Sequence, residues 1–163
     1  MGNSPLRREE RTFEACAMAD RDRLEGARAD RDWLLAHEHW LSDEAVVEMP
    51  RVRLGALDAG RWTEELRREK RLFGVRYRER YLHPEFQFDL AGSLLPTVPA
   101  LISLLPMTDA NWTAAFWLFQ PDRRFGGRRP VDVFRENPDA VVKAAKEDFV
   151  DGPYEGEPVL PTE

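Results

Sequence analysis

The chain has 163 residues, 42% hydrophobic and 33% charged, and 24 Lys and Arg against 30 Asp and Glu leave a net charge of -6. Such a chain holds one ordinary domain or two small ones, and its acidity opposes nonspecific nucleic-acid binding by the surface as a whole. The single cysteine, Cys16, excludes an internal disulfide. The most apolar stretch, Leu94 to Met107, is broken by Pro96, Pro99 and Pro106 and is shorter than the roughly 20 residues of a membrane span. The first residues lack the apolar core of a secretory signal. A cytoplasmic chain without a membrane partner is therefore expected.

Residues 1–41 read as a helical arm. From Arg8 to about Trp40 there is no Pro, and the only Gly is Gly26. A thin apolar stripe runs through Phe13, Cys16, Ala17, Leu24, Ala27, Leu34 and Leu35 at nearly helical spacing. His37 and His39 would project about 200° apart on a helix, so they cannot chelate one ion, and no metal or other cofactor is expected.

Residues 42–89 read as a winged-helix-like segment. Ser42 can cap a short helix beginning at Asp43-Glu44, and Pro50 ends it. Asp58 can cap a second helix over Ala59–Leu72, with Trp62, Leu66 and Leu72 inward and Gly74 as its stop. Leu72–Tyr77 and Tyr81–Pro84 flank the polar Arg78-Glu79-Arg80 and read as a two-stranded hairpin, followed by an extended Glu85–Asp89. Between positions 61 and 80 there are eight basic residues and four acidic ones, a local excess of +4. In this arrangement Arg67, Arg68, Lys70, Arg71, Arg76, Arg78 and Arg80 would meet phosphates of operator DNA.

Residues 90–150 return to helix. A proline-started helix is expected over Pro96–Leu105, and Asp109 can cap the next one, in which Trp112, Ala115, Phe116 and Phe119 share a face. A loop follows from Gln120 to Arg129. A short helix then begins at Pro130 or Val131, and a last one runs from Asn137 or Asp139 to about Phe149. Residues 151–163 form an acidic tail rich in Pro and Gly. The expected class is mainly α, a helical domain with a small β-hairpin followed by a second helical domain.

No pair of side chains has the spacing of a nucleophile and its base, and the glycine patterns of nucleotide-binding loops are absent from the sequence, so no enzyme is expected. The most specific local feature is Phe125-Gly126-Gly127-Arg128-Arg129-Pro130. Gly126 and Gly127 permit turns closed to other residues, Pro130 starts a helix, and Arg123, Arg124, Arg128 and Arg129 crowd the corner. Four guanidinium groups there would suit acidic groups on a protein partner.

The run from Ala115-Phe116-Trp117-Leu118 through Gly126-Gly127 and Pro130 to Phe134, with Val141-Val142 and Ala144-Ala145 after it, resembles the C-terminal toxin-binding domain of the Xre/MbcA/ParS antitoxin family (DUF2384-like). Tyr81-Leu82-His83-Pro84-Glu85-Phe86-Gln87-Phe88 is similar to the segment that precedes that domain in many members. The resemblance covers about half the chain and implies a fold of packed helices that binds and neutralises a cognate protein toxin. Such toxins are often of the RES type, which consumes or transfers NAD. It also implies a homodimer and, in many members, repression of the shared operon. Under this reading Gly126, Gly127 and Pro130 shape the domain. The contact would lie on Arg123, Arg124, Arg128 and Arg129 and on Lys143, Lys146 and Phe149 of the last helix. Asp122 departs from the family, which commonly has Asn there, and the N-terminal third does not resemble its usual helix-turn-helix. The alternative reading is a DNA-binding transcriptional regulator with no toxin partner.

Overall fold

The structure, a computed structural model, describes residues 5–49 and 58–152, with side chains from Met18 onward. The expected end of the second helix at Pro50 and the whole acidic tail beyond Gly152 lie outside the described residues. Two compact units emerge, 1–39 and 40–163.

The first unit is one helix, α1, Pro5–His37. Its sequence has no strong apolar side, and Met18, Leu24 and Trp33 are exposed along it. His37 Nδ1 lies 2.8 Å from the Trp33 carbonyl, and the two rings stack with centroids 4.3 Å apart. One helical turn separates the two residues, which is why their side chains meet.

The second unit opens with a two-residue strand, β1 (Trp40–Leu41), and the short helix α2 (Asp43–Val47). Ser42 caps α2 as expected, its hydroxyl accepting from the Ala45 amide at 3.2 Å. Asp58 caps α3 (Ala59–Arg68) by accepting from the Gly60 amide. The helix ends four residues earlier than its apolar pattern suggests. Lys70, not Gly74, breaks it: Lys70 adopts a left-handed φ of 57°, and the Arg71 amide turns back to the Leu66 carbonyl at 2.8 Å.

The hairpin forms from β2 (Val75–Tyr77) and β3 (Arg80–Pro84), with Arg78 and Glu79 at its tip. The sheet has three strands instead of two, because Trp40 and Leu41 pair antiparallel with Pro84 and His83 on the far side of β3. Glu85–Gln87 is a 3-10 turn where extended chain was expected, so Phe86 and Gln87 both turn inward. Leu41, Val46, Leu66, Leu72 and Phe88 close the core beneath α2, α3 and the sheet.

The remaining helices are α4 (Val98–Ile102), α5 (Trp112–Phe119), α6 (Pro130–Phe134) and α7 (Pro138–Lys146), followed by a π-helical turn at Glu147–Asp151. Helix α4 is half its expected length. Asn137 caps α7 through the Ala140 amide. Asp109 does not cap α5: Asp109, Ala110 and Asn111 form a single left-handed turn, with φ of 50°, 54° and 70°. Trp112, Leu118, Phe134, Val141 and Ala145 are fully buried, and Phe86 meets Phe134 edge-on at 5.5 Å, joining this core to the sheet. The chain is thus mainly helical with a small antiparallel sheet. Among the described residues no helix is long and apolar enough to cross a membrane.

Candidate functional site

Helix α3 and the β2–β3 hairpin are held together by a buried polar network centred on His83. The His83 ring is completely buried. Its Nδ1 lies 3.0 Å from the Phe73 carbonyl, and its Nε2 lies 2.8 Å from Asp43 Oδ1. Arg67 Nη1 donates to the same Asp43 oxygen at 3.0 Å, and its guanidinium covers the Tyr81 ring at 3.8 Å. Burial opposes ionisation of Asp43. Hydrogen bonds from His83 and Thr63 and the charges of His83 and Arg67 outweigh it, and the carboxyl sits below its usual range. Gln87, also fully buried, donates from Nε2 to the Phe73 and Pro84 carbonyls and accepts from the Phe73 amide.

This network fixes an open cleft of about 680 Å³ between α3, the hairpin and the α4–α5 connection. Arg67, Arg68, Lys70 and Arg76 line it with Glu64, Glu79, Tyr81 and Asn111, over an apolar floor of Leu72, Phe73, Ile102 and Met107. The left-handed turn at 109–111 forms part of the rim. Asn111 Nδ2 donates to the Gly74 carbonyl at 2.8 Å, and Trp112 Nε1 donates to the Arg76 carbonyl at 3.0 Å. Backbone strain of this kind persists only where neighbouring contacts over-determine it.

The basic residues expected to meet DNA divide into two groups. Arg67 turns inward and is only 14% exposed in its side chain. Arg68 and Arg71 are exposed and reach Glu65 and Glu69 at 3.5 and 3.3 Å, contacts worth little in water. Arg78 lies over Tyr77 at the hairpin tip. Lys70, Arg76 and Arg80 are exposed and make no ion pair among the described residues.

The arginines around Gly126-Gly127 are arranged differently. Arg124 bonds both oxygens of Asp122 and both of Asp148, reaches Glu147 Oε2 at 3.4 Å, and touches the Ala144 carbonyl. Its hydrogen bonds to Asp122 and Asp148 hold it more firmly protonated than a free arginine and pull both carboxyls below their usual range. Arg128 pairs with Glu136 at 2.9 Å and Arg129 with Asp132 at 2.7 Å. Arg123 is exposed. Gly126 and Gly127 take φ of 66° and 83°, as their place in the turn requires, and Pro130 begins α6. On α7, Lys143 and Lys146 are exposed, with Glu147 and Asp151 as far as 3.9 and 4.0 Å away. Phe149 packs against Trp117 at 5.5 Å.

Sequence reasoning missed the Asp43–His83–Arg67 cluster, whose members are spread over 40 residues. The signal that was available is the run Leu82–Phe88, in which His83, Glu85 and Gln87 alternate with apolar residues: polar side chains that such a run buries need partners. Among the described residues no group of three or more His, Cys, Asp or Glu is placed to hold a metal ion.

The fold is similar to that in the NMR structure of Rv2175c, with a TM-score of 0.51 and 24% sequence identity over 69% of this chain and 82% of that one. No protein-family model matches the chain, and no curated protein matches it.

Proposed function

We propose that the chain is a non-catalytic regulatory protein whose α3 and hairpin face binds duplex DNA. The observation that carries this reading is the contrast between two basic clusters. Lys70, Arg76 and Arg80 stand exposed and unpaired among the described residues, whereas Arg124, Arg128 and Arg129 are neutralised by the chain's own carboxylates. Unpaired surface cations can release counterions from DNA; paired ones must first break their bonds. Helix α3 would lie at the major groove, and Arg78 and Arg80 would meet the flanking backbone. Arg67 would act indirectly, by holding α2, α3 and the hairpin in register.

A mobility shift on the chain's own promoter tests this. Binding should weaken steeply as salt rises. Replacing Arg76 and Arg80 by Ala should reduce the salt slope by about 2 in a log–log plot, roughly one for each phosphate left without its cation. Binding that ignores both replacements rejects this face as the DNA contact.

A second reading is favoured by α7. Lys143 and Lys146 are loosely paired, and Arg123 is exposed in the same C-terminal half. These groups and Phe149 would contact a cognate toxin and occlude its active site, as the antitoxin resemblance implies, with a RES-type toxin as the specific expectation. A homodimer that binds its operator through α3 and its toxin through α7 would combine both readings. Co-expression with the neighbouring gene decides this one: failure both to rescue growth and to co-purify rejects it.

A further inference from the structure

The cleft beside α3 joins an apolar floor to unpaired positive charge. Leu72, Phe73 and Ile102 show only their edges in it, each at most 3% exposed, but Met107 in the same lining is 43% exposed. An unbranched thioether side chain adapts to whatever covers it. Lys70 and Arg76 also line the cleft, exposed and without an ion pair among the described residues. Four basic residues of the lining face two acidic ones, Glu64 and Glu79, so the recess favours an anion. Both unpaired cations sit on fixed backbone. The Lys70 amide donates to the Arg67 carbonyl at 3.0 Å, and Trp112 Nε1 holds the Arg76 carbonyl.

The strained backbone of the chain gathers at the same place. Among the described residues, the non-glycine positions with a left-handed φ are Lys70, Arg78, Asp109, Ala110 and Asn111. Lys70 and Asn111 line the cleft, Arg78 adjoins Glu79 of the lining, and Asp109 and Ala110 lead into Asn111. Conformations of this kind are costly and cluster at ligand clamps.

A duplex does not account for the recess. Its phosphates would meet the cations and leave Met107 and Ile102 bare. The volume of about 680 Å³ falls instead among small-molecule sites, roughly 300–1,000 Å³, which join apolar surface to a few placed polar groups.

We infer that the cleft binds a small amphipathic anion, its charged head at Lys70 and Arg76 and its short apolar body against Met107 and Ile102. Occupancy takes up two cations of the face proposed for DNA and so weakens that contact. This consequence rests on the nucleic-acid reading; the binding of the anion does not.

Three probes test the inference on the full chain by NMR titration: octanoate, acetate with the same head and no body, and 1-octanol with the same body and no head. Octanoate should shift the Gly74, Arg76 and Asn111 amides and the Met107 methyl, saturating at about millimolar concentration as suits so small a ligand. It should bind about tenfold more tightly than either control. K70Q/R76Q should weaken octanoate about tenfold and leave octanol unchanged. M107S should weaken octanoate and leave acetate unchanged. No saturable shift up to about 20 mM octanoate, or shifts centred elsewhere, overturns the inference. Acetate binding as tightly as octanoate makes the cleft a seat for bare anions, and octanol binding as tightly makes it an apolar patch; either result overturns it too. In parallel, saturating octanoate should weaken promoter binding about three- to tenfold at moderate salt. If octanoate binds and promoter DNA does not, the nucleic-acid reading fails while the anion site stands. If DNA binds and octanoate does not, the anion site fails alone.

Discussion

Gly74 lies against the imidazole of His83 so closely that a β-carbon on it would sit 2.6 Å from Nδ1 and 2.7 Å from Cε1. Neither contact can be relieved by a swing of the ring, because both ring nitrogens are engaged, one with Phe73 and one with Asp43. The glycine makes room for the histidine, and the histidine links α2 to the hairpin. Gly74→Ala should therefore destabilise the protein by about 1–3 kcal/mol, the usual cost of overpacking a filled core. Urea denaturation measures it, and an unchanged midpoint would mean the ring has slack.

Asp43 Oδ1 is shared by Arg67 and His83. Truncating it leaves the Arg67 guanidinium and His83 Nε2 without their common acceptor in a largely buried place. Asp43→Ala should cost about 2–3 kcal/mol, at the lower end for a broken buried pair because solvent still reaches part of the side chain. A double-mutant cycle with Arg67→Ala should return a coupling of about 1 kcal/mol or more. Strict additivity of the two single effects would show that the ion pair does not act as a unit.

Lys70 carries both strain and charge, and one substitution separates them. Its φ of 57° is a conformation that L-residues adopt at a cost of roughly 1 kcal/mol and glycine adopts freely. Lys70→Gly should raise stability by up to about 1 kcal/mol while weakening DNA binding through removal of the cation. Thermal unfolding and the mobility shift should thus move in opposite senses. A parallel fall in both would place Lys70 in the packing.

The Arg124 cluster sets an acid limit. Asp122, Asp148 and Asp43 are all held below their usual carboxyl range in the folded chain. Their contribution is complete above the unfolded value of about 3.9 and is lost as pH falls through the lowered folded values. Arg124→Gln should cost about 1 kcal/mol at neutral pH, a modest figure because the guanidinium is a third exposed. The difference from the parent should shrink below about pH 4. Trp117, whose Nε1 donates to Asp148 at 2.7 Å, supplies the fluorescence signal. A difference that persists unchanged to the lowest pH would separate the cluster from acid stability.

Local features were legible in the sequence, and long-range ones were not. Ser42, Asp58 and Asn137 cap helices because a short polar side chain next to a free amide does so wherever the helix packs. The hairpin was legible from its aromatic and β-branched flanks. Strand β1 was not: two residues carry no period, and Trp40-Leu41 becomes a strand only because β3 offers an open edge. Lys70 ending α3 and Ala110 in a left-handed turn run against residue preference; a local bond from the Arg71 amide to Leu66 closes the first, and a long-range bond from Asn111 to Gly74 holds the second. The basic corner at Gly126-Gly127 looked like an open contact surface because, beside the nearby Asp122 and Asp132, its further counter-charges Glu136, Glu147 and Asp148 lie 8 to 24 residues away.

The left-handed turn at Asp109–Asn111 carries a consequence for how the molecule comes apart. Through Asn111 and Trp112 it fastens the carbonyls of Gly74 and Arg76, in the half that carries the hairpin, to the start of α5, in the half that carries the later helices. Neither half can open without surrendering two hydrogen bonds that the other half needs, and the coil's recoil from the strained turn is released only when both let go. Residues 40–152 should consequently melt as one cooperative unit, with a calorimetric enthalpy equal to the van't Hoff value, although the sequence reads as two segments there.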